Sequence, residues 1–203
     1  MINKVVPESF LKNIVAPNCN NDPHIINAFK TIPRSWFMDD ALARFAFEDN
    51  AQPIGFGQTI SKPSTVALMT YLLAPVPSDK VLEIGTGSGF QAAVLSRLVS
   101  AVYTVERIPR LYAKASERIR RLFIKNVFFN LASNSAGWPE EAPFDKIIFT
   151  CGAKEIGEDY FRQLKVGGSI VAPINDKITL FKKTSEGIEK EENKECSFVE
   201  YIL

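Results

Sequence analysis

Histidine occurs once and cysteine three times in the 203 residues, and Cys19, Cys151 and Cys196 stand far apart. No CxxC pair is present, so the spacing of a zinc site or of a disulfide framework is missing. No apolar run approaches the ~20 residues that a membrane-spanning helix needs, and the opening MINKVVPESF lacks the continuous apolar core of a secretory leader. Neither sign of charge dominates: 24 Lys and Arg against 23 Asp and Glu leave a net charge of +1. Composition therefore gives no basis for nucleic-acid binding, and the basic stretch Lys114 to Lys125 reads as the outer face of an amphipathic helix. His24 sits in a helix start far from every motif and is expected to be structural or on the surface. With no leader, membrane span or disulfide framework indicated, the expected setting is a reducing cytoplasm.

What is there has the make-up of an ordinary globular protein, 46% hydrophobic and 23% charged. The N-terminal third reads as short helices broken by prolines. Asp22-Pro23 supplies an N-cap acceptor and a proline at the first helical position. Pro33 begins a similar short turn. Gln52 to Lys62, with two glycines and no helical period, reads as loop or extended chain, and Pro63 opens a helix to about Leu73.

From Lys80 onward short apolar runs alternate with amphipathic stretches. Strands are expected at Val81–Ile84, Val102–Val105, Val127–Phe129, Lys146–Phe149 and Ser169–Ala172. Helices are expected at Gln91–Val99, Pro109–Phe123 and near Glu158–Leu164, the last ended by Gly167-Gly168. Such alternation predicts a parallel α/β sheet covered by helices on both faces. Ile178–Lys182, a turn around Gly187 and Phe198–Leu203 read as a terminal hairpin, an antiparallel edge on that sheet. Trp138 and Phe144 are expected in the core.

The strand Val81–Ile84 feeds Gly85-Thr86-Gly87-Ser88-Gly89, and a helix follows. Glycines at that spacing let the chain turn sharply and let the backbone approach a ligand with no Cβ in the way. A carboxylate leaving the second strand, Glu106, is placed to accept ribose hydroxyls, a feature shared by nicotinamide and S-adenosylmethionine sites. Two details favour S-adenosylmethionine. The spacing is GxGxG, not GxGxxG. Glu83 lies just before the loop, where a carboxylate repels a pyrophosphate but attracts an ammonium or sulfonium.

With these residues assembled, the chain resembles the protein-L-isoaspartate O-methyltransferase family from about Asp22 to Ala172. The most specific stretch is Ala46 to Pro63, AFEDNAQPIGFGQTISKP. VLEIGTGSGF at Val81 to Phe90, YTVER at Tyr103 to Arg107 and GWPEEAPFDKII at Gly137 to Ile148 are similar to its later motifs, in order. The resemblance implies a Rossmann-like, doubly wound, mostly parallel sheet in one domain over 1–203. An N-terminal helical segment with the substrate and cofactor loop would occupy 1–75, and the core 76–203. It implies a monomeric enzyme that uses S-adenosylmethionine to methylate isoaspartyl residues in damaged proteins and releases S-adenosylhomocysteine.

The resemblance makes Ser61 the active-site residue, with Gln58 beside it on the substrate. It assigns Thr59, Ile60, Glu83, Gly85, Thr86, Gly87, Ser88, Gly89, Glu106 and Arg107 to the cofactor. The acceptor carboxylate, with a pKa near ~4, is already ionised at neutral pH and needs no general base. Ser61 then acts as a hydrogen-bond donor that orients the carboxylate; the alternative is a serine capping the helix at Pro63.

Two stretches depart from the family pattern. Where an aspartate between glycines would meet the adenine amino group, the chain has Ala132-Ser133-Asn134, so Ser133 and Asn134 are the expected adenine contacts. The C-terminus reads Phe198-Val-Glu-Tyr-Ile-Leu203, and Ile174-Asn-Asp-Lys177 replaces the family's loop after Pro173. Two further readings follow from these departures: a methyltransferase with another carboxylate or small-molecule acceptor, and a non-catalytic S-adenosylmethionine-binding module. The intact QTIS segment counts against the second of these.

Overall fold

The computed structural model describes residues 5–132 and 135–199. Its centre is a seven-stranded sheet: β3 (Lys80–Ile84), β4 (Ala101–Glu106), β5 (Val127–Leu131), β6 (Phe144–Phe149), β7 (Leu164–Ile174), β8 (Lys177–Lys183) and β9 (Ile188–Glu195). The strand order is β5-β4-β3-β6-β7-β8-β9. The first five strands pair in parallel, and β8 and β9 are antiparallel.

The parallel strands read as apolar runs because both of their faces are covered. Along β3, Val81 joins one hydrophobic layer while Leu82 and Ile84 join the other; along β6, Ile148 takes the first and Ile147 and Phe149 the second. The first layer is closed by α4 (Pro63–Leu73), α5 (Phe90–Leu95) and α6 (Pro109–Arg121). The second is covered more thinly, by α7 (Glu158–Arg162) and the segment carrying Trp138. Each fully buried Leu, Ile or Phe contributes roughly 1.5–3 kcal/mol through its removal from water, which makes this two-sided apolar layering the main support of the sheet. Phe144 is fully buried, and Trp138 packs edge-on against Tyr103 with centroids 5.4 Å apart.

In α6 the buried stripe is Leu111, Ala115 and Ile119, one residue per turn, and Lys114, Arg120 and Arg121 are exposed, as the basic stretch predicted. Before the sheet, α1 (Glu8–Phe10) widens to π-helical bonding over Leu11–Val15 and returns to α2 (Ala16–Asn18). Pro17 has no N–H to donate, and the wider turn accommodates it. α3 (Pro23–Thr31) starts on Asp22, whose carboxylate accepts from the amides of His24 and Ile25 at 2.8 and 3.1 Å. The His24 side chain is exposed.

Gln52–Lys62, expected as loop or extended chain, is extended chain paired into a hairpin, β1 (Gln52–Gly55) with β2 (Gln58–Ile60), turned through Gly55, Phe56 and Gly57, all at positive φ. Three local expectations are corrected. The helix expected over Gln91–Val99 is shorter, covering Phe90–Leu95. Gly167-Gly168 does not end a helix but lies inside β7, where a Cβ on Gly168 would come 2.7 Å from the Asp145 carbonyl oxygen. The strand that pairs with β8 is the charged run Ile188–Glu195, and Phe198 and Val199 of the expected last strand are in none; an edge strand with a solvated face needs no apolar alternation. Phe198 lies beyond it, and residues 200–203 are outside the described residues.

Candidate functional site

The chain runs out from β3 to β4 and β5 on one side, then returns to place β6 on the other flank of β3. Crevices at the carboxyl ends of strands flanking such a switch are where open α/β sheets bind ligands. Here a pocket of about 300 Å³ opens at that place. It is walled by the residues that follow β3, β4 and β6 and by the end of β2.

The turn after β3 needs its glycines for different reasons. Gly85 has φ +94°, and a Cβ there would sit 2.7 Å from Thr150 Oγ1. Thr150 occupies that space because its hydroxyl donates to the carbonyls of Ile84, at 3.1 Å, and Gly85. Gly87 donates its N–H to Glu106 Oε2 at 2.7 Å, and Ile108 N–H reaches Glu106 Oε1 at 2.9 Å. Two backbone donors thus hold the Glu106 carboxylate at the pocket wall. Gly89 is the exception. It does not line the pocket; it precedes α5 at φ +87°, and a Cβ there would lie 3.3 Å from Ala115 Cβ, so it serves the close passage of α5 past α6.

Glu83 is fully buried and lines the same pocket. Thr104 donates to its Oε2, and Thr86 and Thr104 hydroxyl oxygens are 2.6 Å apart, so a short hydroxyl relay supports one side of the carboxyl group. Its Oε1 makes no hydrogen bond of good geometry, although the Ala92 amide lies near enough to favour the charged form. Burial pushes the Glu83 carboxyl up to about 8, with the nearby Glu106 charge adding to the rise and the Thr104 hydrogen bond opposing it. A buried acid that lines a cavity and has one oxygen without a hydrogen bond is matched by a cationic ligand group.

A second pocket of about 210 Å³ adjoins the first. Gln58, Thr59, Ser61, Thr65, Thr150, Cys151 and Phe198 line both, so they form the wall between the two. Lys62, Lys194 and Cys196 line the second alone. Burial pushes the Cys151 thiol up to about 12, with Glu106 adding to it, so the sulfur stays protonated at neutral pH. Ser61 does not cap α4: the Ser64 amide that opens that helix donates to the Asp49 carboxylate at 2.9 Å.

The structure therefore gathers Gln58, Thr59, Ile60, Ser61, Glu83, Gly85, Thr86, Gly87, Ser88, Glu106 and Arg107 around one cavity. Ser133 and Asn134 lie outside the described residues. Thr65, Gln91, Thr150, Cys151 and Phe198 also line it and were not singled out in the sequence. Thr150-Cys151 had a readable signal, since they directly follow an expected parallel strand on the ligand side of the sheet. Phe198 had none, because the tail was read as a strand.

The sequence matches the family described as Protein-L-isoaspartate(D-aspartate) O-methyltransferase over residues 7–202. The chain belongs to this family. It is 44% identical over 199 residues to the protein-L-isoaspartate O-methyltransferase of Desulfosudis oleivorans, a match covering 96% of this chain and 90% of that one. With the enzyme of the same name from Chlorobaculum tepidum it shares 47% identity over 176 residues, 84% of this chain and 82% of the relative. Among solved structures, a protein-L-isoaspartate O-methyltransferase superposes with a TM-score of 0.85 at 31% identity; the match covers 96% of this chain but 65% of that one, so the chain spans just under two-thirds of its length. A Plasmodium falciparum structure, titled as a putative protein-L-isoaspartate O-methyltransferase in complex with S-adenosyl-L-homocysteine, superposes with a TM-score of 0.82 at 22% identity over 95% of this chain and 96% of that one, a likeness of fold.

Proposed function

We propose that the chain transfers a methyl group from S-adenosylmethionine to the free α-carboxylate of L-isoaspartyl residues in damaged proteins, a repair reaction. One observation carries the reading: Ser61 stands in the wall shared by the pocket beside Glu83 and Glu106 and the second pocket beyond it. A donor so placed reaches both a bound cofactor and an acceptor.

The larger pocket fits the cofactor residue by residue. The Glu83 oxygen without a hydrogen bond suits the ammonium of the methionyl part. Glu106, held by two amides, has lone pairs left for ribose hydroxyls. Gly85, Thr86, Gly87 and Ser88 bring backbone close to the ligand, and Thr59, Ile60 and Arg107 close its sides. Ser133 and Asn134 are assigned to the adenine. When bound, S-adenosylmethionine supplies an electrophilic methyl on a sulfonium sulfur, which leaves as the thioether of S-adenosylhomocysteine.

The rest is alignment. Ser61 donates a hydrogen bond to one carboxylate oxygen and holds the other toward the cofactor pocket, with Gln58 steadying the peptide. No proton is removed, because the acceptor is already an anion, and the neutral Cys151 thiol does not compete for the methyl. Holding two reactants in register lowers such a barrier by up to about 7–11 kcal/mol in favourable cases. Phe198 and the Lys194–Ser197 segment border the acceptor side.

The chain works as a single domain, with residues 1–75 supplying the N-terminal helical segment and the acceptor loop and 76–203 the core. We place it in the cytoplasm as a monomer without a nucleic-acid partner. The three cysteines are free, the net charge is +1, and β9 presents a charged edge that discourages strand-to-strand pairing. Among the described residues no helix is long and apolar enough to cross a membrane.

The test uses methyl-labelled S-adenosylmethionine and two peptides that differ only in carrying isoaspartate or aspartate. Base-labile label on the isoaspartyl peptide alone is expected. Cofactor binding without transfer to it, or transfer to another acceptor only, would overturn the acceptor assignment.

A further inference from the structure

Arg34 opens the short helical turn Arg34–Phe37 and is 1% exposed, the largest fully buried side chain among the described residues. No ion pair holds it there among the described residues. Its guanidinium is used instead on four backbone carbonyls: Nη1 donates to Ala46 at 3.1 Å, and Nη2 lies 2.8 Å from Asn50, 3.4 Å from Ile60 and 3.0 Å from Ser61. Nε has no partner. As a device for stability alone this is a poor choice, because a buried charge loses its hydration even with the Asp49 carboxylate near enough to favour it, and an apolar side chain of similar volume avoids that loss.

The geometry points to another use. The Ile60 and Ser61 carbonyls belong to the two peptide units on either side of the Ser61 Cα. Fixing both planes fixes the direction of the Ser61 Cα–Cβ bond and so limits where the hydroxyl can point. The other segment the guanidinium holds, Ala46–Asn50, is itself tied to the helix after Ser61 through Asp49, which accepts from the Ser64 amide at 2.9 Å. Ser61 is thereby held from the residues before it and from those after it.

We propose that Arg34 is a positioning residue for methyl transfer: by clamping the peptide units that flank Ser61 it aims the serine hydroxyl at the wall between the two pockets. This rests on the role given to Ser61 above. Arg34 touches neither pocket and acts only through the backbone it holds.

The test is a double-mutant cycle in the full chain with Arg34→Lys and Ser61→Ala, reading kcat and KM for an isoaspartyl peptide and cofactor Kd by calorimetry. Lysine keeps the charge but cannot span both segments. A misplacement of about 1 Å can cost up to ~100-fold, so Arg34→Lys is expected to lower kcat by at least tenfold, with cofactor Kd moving less than threefold. In the Ser61→Ala background the same change is expected to cost less than threefold. An equal loss with and without Ser61 overturns the positioning role while leaving that of Ser61 intact. Full activity in Ser61→Ala alone overturns both, and the single variant reports this separately. Hydrogen exchange on the unaltered protein covers the case in which Arg34→Lys does not fold: residues 46–50 and 58–64 are expected to open as one unit, and independent opening overturns the clamp.

Discussion

The Thr104 hydroxyl, on β4, donates to the Glu83 carboxyl on the neighbouring strand β3 and satisfies only one of its two oxygens. The other makes no hydrogen bond, and Glu83 lines the larger pocket. Glu83 therefore sits in the free protein as an acid pushed up to about 8, mainly by burial, and a cation arriving in the pocket would pull it back toward the charged form.

The first prediction concerns pH. The folded-state value is raised above the ordinary 4.5, so between about pH 4.5 and 8 the folded protein holds a proton that the unfolded chain has released. The stabilising effect is complete below 4.5 and is lost as pH rises through 8, with a slope from this one group of at most about 1.4 kcal/mol per pH unit. Glu83→Gln removes that slope. Melting curves of the cofactor-free proteins should show wild type losing ground to the variant from pH 5 to 8, and parallel curves would sink the idea. Cofactor affinity should fall in the variant, by roughly tenfold if a charged contact of about 1.5–3 kcal/mol is weakened.

Gly85 and Gly87 should differ in their tolerance of alanine. At Gly85 the new Cβ meets Thr150 Oγ1 at 2.7 Å, whereas at Gly87 the nearest atom is Ile54 Cδ1 at 3.7 Å. Gly85→Ala is expected to cost about 1–3 kcal/mol more than Gly87→Ala, the usual range for overpacking. Adding Thr150→Ala to Gly85→Ala should return part of it. Denaturant titration of the three variants decides; equal costs for the two glycines would refute the steric account.

The two readings of Ser61 can be separated by stability. Asp49, not Ser61, accepts from the first-turn amide of α4, so Asp49→Ala should cost about 0.5–1 kcal/mol, the lower part of the range for helix caps because the contact is exposed. Ser61→Ala should leave the melting temperature nearly unchanged and abolish most methyl transfer. A Ser61→Ala variant destabilised as much as Asp49→Ala would restore the capping reading.

Cys151 should be inert while the protein is folded. Its thiol is pushed up to about 12, and the thiolate is the reactive form. Iodoacetamide at pH 8 followed by peptide mapping should find Cys151 unmodified in native protein and modified after unfolding. Rapid native labelling at that residue would contradict its protonation state.

Much of the sheet was legible because buried parallel strands announce themselves: VLEI, VYTV and KIIF carry apolar residues toward both faces, and each is a strand. Ile188–Glu195 was not legible, since a solvated edge strand is held by backbone pairing and IEKEENKE has no apolar period to read. The Gly85 turn could be foreseen from its spacing, but the use of Gly89 depends on Ala115, 26 positions later, and no local pattern encodes that contact. Arg34 was passed over because arginine in an amphipathic, proline-broken segment is expected on the surface. Its burial depends on carbonyls supplied by two distant segments.

Thr150 has one more consequence. Its hydroxyl props the turn after β3, and the same residue forms part of the wall toward the acceptor. A lineage that enlarged the acceptor entrance at this residue would loosen its grip on the cofactor in the same step. New acceptors are more readily reached by remodelling Lys194 to Ser197, which line the outer pocket alone. Lys194 to Ser197 thus form a part of the molecule that selection can alter without disturbing the chemistry beneath.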